Sequence, residues 1–108
     1  MSFPVLLTDD AVYDLQDIYN YIGRQDSPSK ADKVLALFQD AFASLSDNPQ
    51  RGAYPSELLS LGIKEYREIF FKPYRIIYQI SHKNLYILVI ADGRRDLQAL
   101  LQRRLLQP

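Results

Sequence analysis

The residues with the most chemistry to offer lie in the last third of the chain. They are Arg67, Arg75, Arg94 and Arg95, with Glu65 and Glu68 beside the first of them. They occur in the stretches Tyr66-Arg67-Glu68, Pro73-Tyr74-Arg75-Ile76-Ile77-Tyr78 and Asp92-Gly93-Arg94-Arg95-Asp96. An arginine in a strand needs a carboxylate partner or an anionic ligand, because a guanidinium is costly to bury alone. Other chemistries lack their residues. There is no Cys, so disulfides and thiolate metal sites are excluded. The single His82 lies in a turn-like segment without a ligand partner and reads as a surface histidine. The acids Asp10, Asp14 and Asp17 read as a solvated helix face, without the His or Cys that a transition-metal site would use. No Gly-rich phosphate loop and no nucleophile–base pair is visible. No metal and no cofactor is expected.

The elements that position these arginines are legible from pattern. The chain has 108 residues, which fits one domain over 1–108. An apolar fraction of 47% and an aromatic fraction of 12% fit a packed globule rather than a disordered chain. Phe3–Leu7 reads as a short strand. Thr8 followed by Asp9-Asp10 is a helix start, a hydroxyl cap with acids where the dipole favours them. Ala11, Leu15, Ile18 and Ile22 recur at helical spacing. Ser27-Pro28 starts a second helix, whose stripe is Ala31, Val34, Leu35, Phe38, Ala41, Phe42 and Leu45. Asn48-Pro49 ends it. A loop follows, with one helical turn within Ser56–Leu61.

From Ile63 the period changes to two. Ile63–Phe71, Tyr74–Ser81 and Leu85–Ala91 read as antiparallel strands joined by short turns at Lys72-Pro73 and His82-Lys83-Asn84. Asp96 or Asp92 caps a last helix carrying Leu97, Leu100, Leu101 and Leu105. The order is β-αα-βββ-α, an α+β fold with a helical hairpin packed on a small antiparallel sheet. Alternation turns Tyr74, Ile76, Tyr78 and Ile80 toward the helices and Arg75, Ile77, Gln79 and Ser81 away. A simple hairpin places Arg67 on the same outward face as Arg75.

Formal net charge is zero but unevenly distributed. Residues 1–50 hold eight Asp against three Lys/Arg, a net of −5; residues 51–108 hold ten Lys/Arg against five acids, a net of +5. The basic half suits an acidic partner or nucleic acid, and equally the acidic helices can simply solvate one side. The overall charge is too low for a general DNA coat, and sequence-specific DNA binding by this chain alone is not expected. Met1-Ser2-Phe3-Pro4 lacks the marks of a signal peptide, and no apolar stretch is long enough for a membrane span.

The ordered set Asp14-Leu15, Ile18, Tyr21-Ile22, Asn48-Pro49, Gly52, Tyr66-Arg67-Glu68, Pro73-Tyr74-Arg75-Ile76-Ile77-Tyr78 and Gly93-Arg94-Arg95-Asp96-Leu97 resembles the ParE/RelE toxin family. These are toxins of bacterial type II toxin–antitoxin modules, often called plasmid stabilisation proteins. The resemblance covers essentially the whole chain and implies the same β-αα-βββ-α fold. It implies a cytoplasmic toxin with a cognate antitoxin as partner, and one of two activities. ParE-like members inhibit DNA gyrase. RelE-like members cleave messenger RNA on the ribosome, using basic residues on the sheet and often a terminal Tyr or His.

RNA cleavage by 2′-hydroxyl attack needs a proton acceptor, a proton donor and cations for the phosphate. Arg67, Arg75 and Arg95 would supply the cations and Glu65 or Glu68 the base. After Tyr86, however, the chain has no Tyr and no His, and leucines such as Leu100 and Leu101 stand in the terminal segment. The ParE-like activity is therefore the preferred expectation, with the nuclease as the alternative. Antitoxin or target contacts are expected at Arg67, Arg75, Arg94, Arg95, Leu100, Leu101, Arg103 and Arg104. Each has a plain structural reading beside it. Arg75 can pair with Glu68 or Glu65, Arg94 or Arg95 with Asp92 or Asp96, the leucines can dock on the core, and Arg103 and Arg104 suit a helix C-terminus.

Overall fold

The computed structural model describes residues 2–107. Strand β1 (Val5–Leu7) leads into α1 (Asp9–Gln25) and α2 (Pro28–Asp47), and a single turn α3 (Ser56–Leu59) precedes the sheet. Then come β2 (Arg67–Phe71), β3 (Tyr74–Ser81), β4 (Asn84–Asp92) and α4 (Leu97–Leu101), which widens into a π-helical segment, Gln102–Leu106. The helix starts follow from their caps. Thr8 Oγ1 accepts from the Ala11 amide at 3.2 Å, and Ser27 Oγ accepts from the Lys30 amide at 3.1 Å ahead of Pro28. Each cap contributes about 1 kcal/mol. No helix among the described residues is long and apolar enough to cross a membrane.

The sheet order is β1-β4-β3-β2. The β2–β3 and β3–β4 pairs are antiparallel, as expected, while β1 runs parallel to β4 with Val5 opposite Leu85. Two expectations about the strands need correction. The first concerns length: β2 begins at Arg67 rather than Ile63. The Ile63 amide is spent on the Leu58 carbonyl at 3.0 Å, closing the α3 turn instead of extending the ladder. The second concerns faces. Arg67 lies opposite Tyr78, Ile69 opposite Ile76 and Phe71 opposite Tyr74, so Arg67 falls on the helix-side face. Arg75 lies opposite Phe70 on the other face. The two arginines are on opposite sides of the sheet, because the tight Lys72-Pro73 turn sets a register that period-two patterning cannot distinguish from its neighbour.

In β4 the alternation breaks once. Ile77 pairs with Val89 and Tyr78 with Ile87, leaving Leu88 as the extra residue of a β-bulge. Before it Leu85 and Ile87 face the helices; after it Ile90 does, while Val89 and Ala91 face away.

Both faces of the sheet are buried. On the helix side Ala11, Phe38, Leu45, Ile69, Ile76, Tyr78 and Ile87 form one core, with Phe38 and Phe71 edge-to-face at 4.8 Å. On the other side Leu58 of α3 and Leu97, Leu100 and Leu101 of α4 cover Ile77, Val89 and Ala91. The architecture is thus helix hairpin, sheet, and a thin third layer made of α3 and α4. Leu101 is fully buried there, a burial that stabilises by about 1.5–3 kcal/mol.

Candidate functional site

Arg75 projects from β3 into the third layer, where its side chain is 9% exposed. Its guanidinium is fully engaged. Nε donates to Glu68 Oε1 at 2.6 Å, Nη1 to Glu57 Oε2 at 2.6 Å and Nη2 to Glu57 Oε1 at 2.7 Å. Glu68 reaches it diagonally from the neighbouring strand and Glu57 from the α3 turn above. The fork of Arg75 matches Glu57 bidentately, which holds the Glu57 carboxyl below its ordinary pKa. Glu68 has only the edge of the same guanidinium and is more deeply buried, so burial wins and pushes its carboxyl up. The Phe70 ring lies 5.7 Å from the Arg75 guanidinium carbon. Gly93 completes the enclosure, since a Cβ there would sit 3.1 Å from Arg75 Cγ and from the Pro73 carbonyl. Of the paired partners, Glu68 was foreseen and Glu57 was not. Glu65 is exposed in the loop before β2 and makes no ion pair with Arg75.

The other arginines separate into internal and open ones. Arg67 donates to the Gly52 carbonyl at 2.8 Å and the Gln50 carbonyl at 3.3 Å, with its guanidinium 4.8 Å from the Tyr54 ring. It clamps the loop after α2 to the sheet. Tyr78 serves the same loop from the core, donating to the Pro49 carbonyl at 2.7 Å and accepting from the Gly52 amide at 3.0 Å.

Arg104 holds the C-terminal segment down. It donates to Asp14 Oδ1 at 3.2 Å and Oδ2 at 2.8 Å, and to the Leu88 carbonyl at 2.9 Å. Asp14 Oδ2 also accepts from the Ile90 amide at 3.0 Å. β1 ends at Leu7, opposite Ile87, so the edge of β4 beyond that point has no strand to pair with. The Asp14–Arg104 pair supplies one acceptor and one donor there, in place of a longer β1. Asp14 is therefore not part of a solvated face, and Arg104 is held by a tertiary pair rather than by the helix dipole.

Arg94 donates from Nε to Asp92 Oδ1 at 2.9 Å and from Nη2 to Asp92 Oδ2 at 2.5 Å. This lowers the Asp92 pKa to about 2. Asp96 caps α4 through the Gln98 amide at 3.1 Å. Arg95 and Arg103 are exposed, as is His82. Leu100 and Leu101, expected among the contact residues, are buried in the third layer, Leu101 completely. Of the foreseen contact residues, Arg94, Arg95 and Arg103 remain open to a partner. Pattern reading missed Glu57, although Pro55-Ser56-Glu57 marks a helical turn that could bring a carboxylate over the sheet.

The family model for the ParE toxin of type II toxin–antitoxin systems, parDE, matches residues 5–97. No curated protein matches the chain. Among solved structures, one from the chromosomal ParDE TA system of P. aeruginosa superposes with a TM-score of 0.71 at 23% identity, covering 84% of this chain and 96% of that one. A chain of the toxin–antitoxin complex RelBE2 from Mycobacterium tuberculosis superposes with a TM-score of 0.58 at 21% identity, covering 85% of this chain and 92% of that one.

Proposed function

Because the chain belongs to the ParE toxin family of type II toxin–antitoxin systems, we propose that it acts by inhibiting DNA gyrase and is neutralised by a cognate antitoxin. The observation that carries the choice of target is the enclosed Arg75. A nuclease on this sheet would need a cation facing the scissile phosphate and a carboxylate free to take a proton. Arg75 instead spends its donors on Glu57 and Glu68, and both carboxylates are consumed by it. The terminal segment buries Leu101 in the core and carries no Tyr or His after Tyr86 to serve as a terminal acid–base residue. These features favour binding over turnover. Gyrase acts on chromosomal and plasmid DNA, so this reading places the protein in the cytoplasm.

An antitoxin partner is supported by the likeness to the ParDE system of P. aeruginosa. Acidic antitoxin residues would meet Arg94, Arg95 and Arg103, and such binding weakens with salt. The rival reading, a ribosome-dependent messenger RNA endoribonuclease, rests on the fold shared with the RelBE2 complex and on the exposed Glu65 and Arg95. Fold alone serves both activities. The deciding experiment is a supercoiling assay with purified gyrase run beside a ribosome-programmed messenger RNA cleavage assay. Inhibited supercoiling with trapped linear DNA and intact message is the expected outcome. Cleaved message with supercoiling untouched would overturn it.

A further inference from the structure

Strand β3 runs to Ser81, but β2 begins only at Arg67, opposite Tyr78. Gln79, Ile80 and Ser81 therefore have no strand on that side. A notch of about 320 Å³ opens there, lined by Gln50, Lys64, Glu65, Arg67, Gln79 and Ile80. It also holds unspent backbone. Glu68 exchanges both its backbone bonds with Ala53 on the outer edge, at 2.7 and 3.0 Å. The ladder from β2 to β3 thus passes through Arg67 and Tyr78, and by alternation the Ile80 N–H and C=O turn into the notch.

The lining is polar and carries excess positive charge. Glu65 is its one acid and Ile80 its one apolar residue. Among the described residues, Lys64 and Arg67 have no carboxylate within ion-pair distance, and neither has Arg51, beside Gln50, or Lys83, in the turn after Ser81. Burial raises the Tyr78 pKa and the charges of Arg67 and Arg51 oppose it, which puts both cations at this end of the core. Asp47, three residues before Gln50, accepts instead from Ser2 Oγ at 3.4 Å. The Arg67 guanidinium also lies 4.8 Å from the Tyr54 ring, which is 37% exposed. An open aromatic ring beside cations and amide donors is a platform for a base next to its phosphates.

We propose that this notch binds single-stranded nucleic acid, with phosphates on Lys64, Arg67 and the Ile80 amide, neighbouring phosphates on Arg51 and Lys83, and a base stacked on Tyr54. An acidic peptide fits less well, because the lining offers its side chains no apolar surface beyond Ile80. A duplex has no free base to lay on Tyr54. The net charge of zero confines the contact to a few nucleotides. The Arg94–Arg95 rim adjoins Tyr74, at the other end of β3, six residues or about 20 Å from Ile80. The notch is thus separate from the antitoxin contact proposed above, and the inference rests on the notch alone, whichever target the protein has.

The test uses the full chain, isotope-labelled, titrated with short oligo-dT and oligo-U strands, with a duplex and a Glu–Leu peptide as comparisons. The single strands should shift the amides of Lys64, Gln79 and Ile80. Three phosphates held should make log affinity fall with log salt at a slope of about −2. Lys64→Glu should weaken binding about five-fold or more, and Glu65→Gln should tighten it. Lys33→Glu, the same change in net charge on α2, should leave it unchanged; all three positions are exposed, so the cores stay intact. Tighter binding of oligo-U assigns the site to RNA and of oligo-dT to DNA, while equal affinities mean that the sugar is not read; each carries the proposal. Absence of binding would overturn it. So would a duplex or peptide bound as tightly, an equal loss in Lys33→Glu, or shifts confined to another face.

Discussion

Replacing Arg75 by Met would leave Glu57 and Glu68 facing each other without their shared cation. Breaking a buried ion pair by removing one partner costs about 3–5 kcal/mol. Here the cost falls mainly on Glu68, whose side chain is 8% exposed; that of Glu57 is 19% exposed and recovers some hydration. The lower end applies, about 3 kcal/mol at pH 7, or a melting point lower by about 12 °C in a domain of this size. The sign with pH follows from the groups. In the parent protein the Glu57 pKa is depressed, so its contribution is present above the unfolded pKa and is lost as pH falls through the folded one. In Arg75→Met both carboxyls are raised by burial and by each other, so the folded variant takes up protons on acidification and regains stability. The gap between parent and variant should therefore narrow from pH 7 to pH 5. Urea unfolding followed by circular dichroism measures it, the chain having no Trp to report by fluorescence. A loss below about 1 kcal/mol that is the same at both pH values would refute the electrostatic account. A second variant separates stability from function. Glu57→Leu/Glu68→Leu/Arg75→Met replaces the cluster by apolar volume and should lie within about 1 kcal/mol of the parent or above it. If the cluster is structural, this triple variant keeps whatever activity the parent shows in the supercoiling and message-cleavage assays; if Arg75 serves catalysis, the folded variant loses message cleavage.

Arg104→Ala should cost about 2–3 kcal/mol, by unpairing half-buried Asp14 and the Leu88 carbonyl. Hydrogen exchange should speed up at the amides of the terminal segment. Gly52→Ala should destabilise by more than 2 kcal/mol, about what a strained core tolerates, because the new Cβ would stand 2.5 Å from Tyr78 Oη and 2.6 Å from the Glu68 carbonyl oxygen. Tyr78→Phe should cost about 1–3 kcal/mol by leaving the Gly52 amide unpaired, read from the same unfolding curves. Thr8→Ala should lower stability by about 1 kcal/mol, and a double variant with Ser27→Ala should be additive in thermal melts.

Local chemistry was the part of this fold most open to reading. Thr8 and Ser27 announced their helices because a cap works within three residues of itself. Tyr74–Ser81 showed its two faces through strict alternation, and both faces proved as read. What stayed hidden depends on partners far along the chain. The face of Arg67 turns on a register that one residue of slip would reverse. Leu88 looks like any other residue in an apolar run, and only pairing to β3 makes it a bulge. Asp14 sits at a polar helical position, where nothing local separates a solvated acid from one bonded to a strand edge. Leu100 and Leu101 present the same stripe whether they meet a partner or the protein's own sheet; the second buried face of β3 decides it. The Arg75 cluster was half visible, since Glu68 is its neighbour in the hairpin, while Glu57 arrives from a loop turn.

Two contacts join segments far apart in the chain: Val5 of β1 meets Leu85 of β4, and Arg104 ties to Asp14 of α1 across 90 positions. The middle strands form hairpins from near neighbours, but the edge that carries β1 and the terminal segment closes only through these long loops. Contacts of such sequence separation slow folding and place its last step late. During synthesis, which proceeds from the N-terminus, α1 and α2 emerge well before the strands that cover their apolar stripe. The completed surface of this domain, including the rim that carries Arg94 and Arg95, exists only once the chain has been made through Arg104.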